Sequence, residues 1–456
     1  MVVGDVLTAV DVLVLGAGPA GYVAAIRAAQ QGRHVTLVEP GPVGGTCLNQ
    51  GCIPLKALIS ASERYQQAAA RDDLAAMGIS VESVAFDWSH MQSWKQSVVE
   101  RLTAGVRQLI SGNHIQLVKG TGRFINTEEV RVEGDYGSQR FKFEHCIVAT
   151  GAEDRPLPAL PFDGQQILSP IQALQLSQLP ASLSIWGEDY ITLELATVFA
   201  RLGVKVKLYS PASQLLPDVD PAALRLVQAG LRKLGIQVKT SVPCAEIAER
   251  PLIISNGVQP RTSDLRLTEP GVQLNASGGI AVNSMMQCNI PQILAVGDCT
   301  GTRPLASSAI KQGKIAAEVA AGQRVQYDPL VTPLVVHTTP ELATCGYSAQ
   351  EAQNAGYTIK TGRFPLAANG RALTLGADNG VALLVANAEN DVLLGATVVA
   401  PRASDIIQQI AIAIEMAATL TDLAEVVYSH PALSEILQES AENALGRAIH
   451  ILAKAR

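Results

Sequence analysis

Residues 11–40, DVLVLGAGPAGYVAAIRAAQQGRHVTLVEP, constrain the fold more than any other stretch of the chain. Val12 to Leu15 is a short apolar run, as a strand buried on both faces of a parallel sheet requires. Gly16, Gly18 and Gly21 follow with Gly-x-Gly-x-x-Gly spacing, and Pro19 and Ala20 stand between the last two. The first two glycines permit a tight turn and close backbone approach, and the third lets helix and strand pack together. Free amides at the start of the ensuing helix face a pyrophosphate. Val35 to Val38 reads as a second strand ending in Glu39, an acid placed to bind ribose hydroxyls. A glycine fingerprint alone also marks an ordinary turn. Here strand, turn, helix, second strand and terminal acid agree on a dinucleotide site.

Two later segments favour FAD as that dinucleotide. CIVATGA (146–152) is an apolar strand running into a small-residue turn that holds Thr150 and Gly151, and ILAVGDC (293–299) is another, ending at Asp298. Ligands of open α/β sheets sit beyond the carboxyl ends of the strands, so Asp298 can reach a polyol chain. A turn or cap role is the plainer alternative for that residue.

At 456 residues the chain is too long for one core and implies two to four domains. No stretch of membrane-spanning length is free of polar residues, and the net charge of −6 is spread without a basic block. These features exclude a membrane span and give no footing for nucleic acid. The opening MVVGDVLTAV has no basic region, so no secretory leader is expected. Seven cysteines, sparse and odd in number, suit a reducing, cytoplasmic setting.

Two of those cysteines lie five positions apart in GGTCLNQGCIPLKAL (44–58). A metal site is excluded because neither histidine nor a third cysteine is near Cys47 and Cys52. In a regular helix such positions are about 8 Å apart, beyond the roughly 7 Å that a disulfide tolerates. A bridge would therefore demand an irregular turn and would be readily reduced. On the residues alone, a redox pair beside the cofactor and two unrelated thiols both remain open.

GGTCLNQGCIPLK, together with GAGPAG, ATG, AVGD, TPLVVHTTPELATCGYS (332–348) and HPALSE (430–435), resembles the class I pyridine nucleotide-disulfide oxidoreductases, in particular their dihydrolipoamide dehydrogenase branch. The resemblance covers nearly the whole chain. It implies a redox-active disulfide in which Cys47 exchanges with substrate and Cys52 faces the flavin. It implies an ion pair of Lys56 with Glu194 beside the flavin's reactive nitrogen. It implies a base, His430, oriented by Glu435 and serving the disulfide of the other subunit, hence a homodimer. The FAD site it implies takes in Gly16, Gly18, Pro19, Ala20, Gly21, Glu39, Gly45, Thr46, Lys56, Thr150, Gly151, Asp298 and Ala306. The implied substrate is dihydrolipoamide or a protein-bound lipoyl domain. Leu55 replaces a serine usual in the family, and Tyr428 replaces a second histidine. Mercuric and large thioredoxin reductases carry redox residues in the tail, whereas the last cysteine here is Cys345. A glutathione-reductase-like enzyme is the remaining relative.

The resemblance fails at the second glycine fingerprint, expected for NAD within LSIWGEDYITLELATVFARLGVKVKLYS (183–210). Gly187 is in place, but Asp189 and Thr192 hold the other two glycine positions, and Ser210 stands where the ribose acid belongs. Asp189 sets a negative charge where a pyrophosphate would lie, and Thr192 adds bulk between helix and strand. Only about ten residues separate IQVKTS from PLIISNGV, too few for the family's multi-strand excursion. Tyr190 is expected to cover the flavin face that a nicotinamide would approach. Three readings follow: a dehydrogenase binding NAD weakly, an NAD-independent dithiol oxidoreductase, and a non-catalytic binding protein. The retained Cys47, Cys52 and His430 disfavour the third.

The expected fold is α/β: two Rossmann-like, three-layer dinucleotide-binding domains and a C-terminal α+β dimerisation domain. Residues 1–150 with 263–327 are expected to bind FAD. Residues 151–262 form a shortened NAD-like unit, and 328–456 form the interface domain.

Overall fold

The strand Leu7–Leu15 is the axis of the first sheet in the computed structural model, which describes residues 7–135 and 137–452. The opening six residues, on which the leader expectation rests, lie outside the described residues. The strand starts five residues before the apolar run, and its exposed front half is held by pairing with Gly137–Val148, where Leu7 faces Arg140 and Leu15 faces Val148. Val35–Glu39 pairs on its other side, with Val12 opposite Val35 and Leu15 opposite Val38, all parallel. Ile293–Ala295 adds in parallel beside Gly137–Val148, so a strand distant in sequence completes this unit. Glu129–Gly134 and Thr121–Phe124 extend the sheet antiparallel. The helices Pro19–Gln30 and Ala306–Ala320 cover one face with Ala20, Ala24, Ala28, Ala316 and Ala320. Small side chains let the two helices lie close to the sheet and to each other: a Cβ on Gly313 would fall 2.4 Å from the carbonyl oxygen of Ala20.

The second sheet has five parallel strands in the order Gln237–Lys239, Lys205–Tyr209, Ser182–Trp186, Leu252–Ile254, Ile167–Leu168. The fully buried helix faces of Tyr190–Arg201 and Pro221–Lys233 pack on one side through Leu193, Val198, Phe199, Leu224 and Val227. Where the family carries an excursion of strands, the chain between Lys239 and Leu252 makes a single short turn of 3₁₀ helix, Cys244–Glu246. Cys244, Ile247 and Val242 from this short connection lie against Trp186, Tyr209 and Ile254, joined by Leu157, Leu160 and Phe162 of the proline-rich segment EDRPLPALPFDG (153–164). The shortened segment thus still closes that face with apolar side chains.

The third sheet is antiparallel, ordered Leu334–Val336, Glu341–Gly346, Leu393–Ala400, Val381–Asn387, Ile359–Pro365. Helices Ala403–Glu415, Leu420–Glu425 and Glu435–Ala444 pack on it through Ile407, Ile410, Leu423 and Leu437. Ile412, Met416, Val426 and Val427 on the same stretch remain exposed, the kind of surface that a further subunit covers. Among the described residues no helix is long and apolar enough to cross a membrane.

Candidate functional site

A cavity of about 560 Å³ opens beyond the carboxyl ends of the first sheet. Its walls bring together the predicted FAD-site residues Gly16, Gly18, Pro19, Ala20, Glu39, Gly45, Thr46, Thr150, Gly151, Asp298 and Ala306, with Cys47, Cys52 and Lys56. The glycines meet steric demands. Gly16 has φ +101°, and a Cβ on Gly21 would lie 1.8 Å from the carbonyl oxygen of Gly16. A Cβ on Gly45 would lie 2.5 Å from Cα of Gly18, so the cysteine-bearing loop rests backbone to backbone on the fingerprint turn. Glu39 fixes that turn from the second strand. Its Oε2 accepts the Ala17 amide at 2.7 Å and its Oε1 accepts the Gly41 amide at 2.9 Å. A carboxylate has about four acceptor positions, so ribose hydroxyls can still be accommodated.

Three helix starts converge on this cavity: Pro19–Gln30, Cys52–Ala69 and Ala306–Ala320. None has a side-chain cap, and the residues before them are Gly18, Gly51 and Leu305. Their first amides are left for a ligand, the arrangement that receives phosphate or a polarised carbonyl. The carboxylate of Asp298, half-buried, lines the same space with no side-chain hydrogen bond among the described residues, and burial pushes it above the usual carboxylate range. A buried polar group without a partner is costly, and a ligand hydroxyl chain would relieve it. Uncapped amides, a close-approach glycine turn and a half-buried carboxylate without a partner together fit FAD. Among the described residues no cluster of metal ligands occurs.

Cys47 lies in the short helix Gly45–Asn49, and Cys52 is the first residue of Cys52–Ala69. The irregular turn required to bring residues five apart together is present. Gln50 and Gly51 leave helical geometry, and both amides donate to the carbonyl of Thr46, at 2.9 and 2.8 Å. Both residues carry free thiols, neither fully buried. Their side chains are close enough to couple, and the hydrogen bond from Cys47 is the chief cause holding the Cys52 thiol down to about 7. Burial opposes this shift, while Lys56 and the helix start assist it. The same hydrogen bond, then burial, pushes Cys47 up. Cys52 is therefore the thiolate of the pair, and it is also the one at the helix start.

One turn further along that helix, Lys56 Nζ lies 2.5 Å from Oε2 of Glu194, whose side chain is fully buried in Tyr190–Arg201. The other oxygen of Glu194 accepts the backbone N–H of His337 at 2.9 Å. His337 follows the strand Leu334–Val336 of the third sheet. Its ring nitrogen Nδ1 bonds Glu341 at 3.0 Å, and nothing in VVHTTPE signalled that its backbone would hold the acid of another sheet. Tyr190 lines the cavity beside Cys52, and burial pushes its hydroxyl up. Arg261 and Asp154, unremarked in the sequence, also line it. Arg261 ties the two units through its carbonyl, which accepts the Thr150 hydroxyl at 2.7 Å.

His430 stands apart from these residues. Its Nδ1 is 2.8 Å from Oε1 of Glu435, whose Oε2 accepts the Ala432 amide at 2.7 Å. His430 precedes the helix Glu435–Ala444 by a turn, so it is not itself the helix entrance; Glu435 is. With a carboxylate on Nδ1, Nδ1 carries the proton and Nε2 is left as acceptor. The His430 side chain is 81% exposed. Among the described residues no hydrogen bond or ion pair joins it to Cys47 or Cys52.

The nucleotide fingerprint of the second sheet is closed on itself. Asp189 caps Tyr190–Arg201: its Oδ1 accepts the Thr192 amide at 2.8 Å and the Thr192 hydroxyl at 2.7 Å. Thr192 is fully buried, so the bulk expected to wedge helix and strand apart is absorbed by folding its hydroxyl onto Asp189. The strand before Ser210 ends at Tyr209.

The family described as pyridine nucleotide-disulphide oxidoreductase matches residues 10–313, and the dimerisation domain of that family matches 332–441. A dihydrolipoyl dehydrogenase of Geobacillus stearothermophilus is 40% identical, over 100% of this chain and 100% of its own. Dihydrolipoyl dehydrogenase 3 of Haloarcula marismortui is 41% identical, over 99% of each chain. In three dimensions, LpdA of Mycobacterium tuberculosis superposes with a TM-score of 0.89 at 26% identity, covering 95% of this chain and 99% of that one. An HOCl-induced flavoprotein disulfide reductase of Escherichia coli gives 0.84 at 25% over the same shares. The matched dimerisation domain makes the protein a homodimer. Similarity of this extent along the whole length carries fold and reaction class together, and the chain belongs to the pyridine nucleotide-disulphide oxidoreductase family, as an FAD-dependent disulfide oxidoreductase resembling dihydrolipoyl dehydrogenase.

Proposed function

We propose that the protein oxidises dihydrolipoyl dithiols, free or carried on a lipoyl-bearing protein, through a Cys47–Cys52 disulfide. The observation that carries this reading is the thiol pair at the cavity wall, with Cys52 held as thiolate one helical turn from the Lys56–Glu194 pair. Residues 1–150 and 263–327 hold FAD, 151–262 supply Glu194 and Tyr190, and 328–456 form the dimer interface.

His430 of the partner subunit takes a proton from the substrate dithiol through Nε2, while Glu435 holds the ring and stabilises the imidazolium. The substrate thiolate attacks Cys47, breaking its bond to Cys52 and leaving a mixed disulfide. The second substrate thiol loses its proton to the departing Cys47 as its sulfur closes the oxidised ring, so Cys47 leaves as the thiol while the first proton stays on the imidazolium. Cys52 remains as thiolate, held by the Cys47 hydrogen bond and the charge of Lys56. Bound FAD supplies the two-electron acceptor for the dithiol. Buried Glu194 keeps the Lys56 ammonium fixed beside the cavity, an electrostatic setting for the flavin. Thiolate chemistry of this kind suits a reducing compartment, and we place the protein in the cytoplasm.

Anaerobic titration of the FAD-loaded protein with dihydrolipoamide tests the reading. Loss of the oxidised flavin spectrum in proportion to added dithiol is expected. A flavin that stays oxidised while the thiols remain intact overturns it.

A further inference from the structure

Four helix starts matter to the chemistry of this chain, and they fall into two kinds. Those at Gly18, Gly51 and Leu305 surround the flavin cavity and lack a side-chain cap. The fourth, in the second sheet where the family's NAD fingerprint belongs, is capped by its own Asp189. The cap is more than a local bond to the helix. While Oδ1 of Asp189 takes the amide and hydroxyl of Thr192, Oδ2 accepts the hydroxyl of Ser255, 2.7 Å away at the end of the neighbouring strand. One carboxylate spans the switch point between Ser182–Trp186 and Leu252–Ile254, the crevice where an open α/β unit receives its nucleotide.

The rest of the motif has turned inward with it. Gly187 is retained, but internal packing explains why: a Cβ there would lie 2.4 Å from the Thr192 hydroxyl and 2.8 Å from the Ser255 carbonyl. No approaching phosphate is needed to account for it. Ser210, at the place of the ribose acid, is fully buried, and its hydroxyl accepts the Ala212 amide at 3.2 Å. The chain after it returns to the turn, where the Leu216 amide donates to the Glu188 carbonyl at 3.0 Å. Asp154 lies within electrostatic reach. Burial first, and the charge of Asp189 among the further causes, raise its carboxyl above the ordinary range. A pyrophosphate would therefore meet an occupied amide and like charge.

We infer that Asp189, held by Thr192 and Ser255, is an internal substitute for the dinucleotide pyrophosphate, and that this turn binds neither NAD nor NADP. The second unit is kept for what it gives the flavin side, Tyr190 and Glu194. NAD does not fit the residues present, and the acceptor that reoxidises the protein is recognised by something other than a pyrophosphate at this helix. The inference concerns the site's acceptor and needs the proposed dithiol reaction only in its turnover arm.

The binding arm is calorimetry of NAD and of NADP against the FAD-loaded dimer. No saturation up to about 1 mM is expected, a level that corresponds to very weak binding. Saturation below that concentration by either nucleotide overturns the inference. The variant Asp189→Gly with Thr192→Gly and Ser210→Glu restores the fingerprint and is expected to bind NAD at least about tenfold more tightly than that limit. Asp189→Gly alone is the safer variant, because Gly is well tolerated at an N-cap. It is expected to show measurable NAD binding where the parent shows none. Variants that keep their flavin and fold yet gain no affinity overturn the role of Asp189. In the turnover arm, protein reduced with dihydrolipoamide is offered NAD, NADP or ferricyanide. Only ferricyanide is expected to restore the oxidised spectrum, and rapid reoxidation by either nucleotide overturns the inference. A flavin that dihydrolipoamide cannot reduce defeats the dithiol reading instead, and the binding arm stands independently of it.

Discussion

Glu194 and Lys56 meet at 2.5 Å although 138 residues separate them, and Glu194 also takes the His337 amide. One buried carboxylate thereby joins the cysteine-bearing helix Cys52–Ala69 to the second and third units at the edge of the flavin cavity. Its burial makes the pair asymmetric, since Glu194 has no water to fall back on whereas Lys56 is partly exposed.

Replacing Lys56 by Met leaves that carboxylate buried with one backbone amide as its remaining partner. The expected cost is about 3 kcal/mol of stability, as for other buried charges that lose their counter-ion. Urea unfolding of the FAD-loaded variant measures it, and a change near zero would contradict the geometry.

The same substitution bears on the thiols. The Cys52 thiol is held near 7, below its ordinary value, by the Cys47 hydrogen bond and then by Lys56 against burial. A depressed acid is ionised above its folded pKa, so thiolate absorbance of the reduced protein rises as pH increases through about 7. In Lys56→Met the rise moves to higher pH, toward the roughly 8.5 of a free thiol. In Cys47→Ser the hydroxyl still donates, and the rise stays well below that value.

His430→Gln removes the base while keeping a polar side chain. Turnover with dihydrolipoamide is expected to fall by about 10²–10⁴. Flavin content and Cys52 titration should not move, because within the chain His430 touches neither. Glu435→Gln is expected to lose less, since the ring keeps one orienting partner. Equal loss of flavin in either variant would point to misfolding.

Val427→Asp, at a side chain 94% exposed in the single chain, is expected to yield monomer without unfolding the third sheet. Such a monomer retains the cavity and both thiols but lacks a partner's His430. Light scattering should report the mass change, and activity should drop to the level of His430→Gln. A fully active monomer would show that the base comes from within the same chain.

Gly21→Ala tests the cradle. The added Cβ would sit 1.8 Å from the Gly16 carbonyl, which backbone cannot absorb without opening the fingerprint turn. Protein purified with much less flavin per chain is the expected result, read from the ratio of flavin to protein absorbance.

Much of the site was legible because its chemistry is local. Gly16 and Gly21 express a turn that no other residue type allows, and Glu39 follows at the end of one more strand. The Cys47–Cys52 spacing announced an irregular turn, and Gln50 and Gly51 provide it. Asp189 and Thr192 declared in the sequence that something was wrong with the second fingerprint. How the turn resolves that defect was not readable. Ser255 is 66 residues from Asp189, and only the pairing of Leu252–Ile254 beside Ser182–Trp186 brings its hydroxyl to the carboxylate. The same holds for the amide of His337 at Glu194 and for the length of the first strand, whose exposed front half is held by its neighbour rather than by its own pattern. Local steric and capping preferences act over a few residues, so composition and spacing expose them. Contacts between distant segments depend on strand order and register, which the folded chain alone decides.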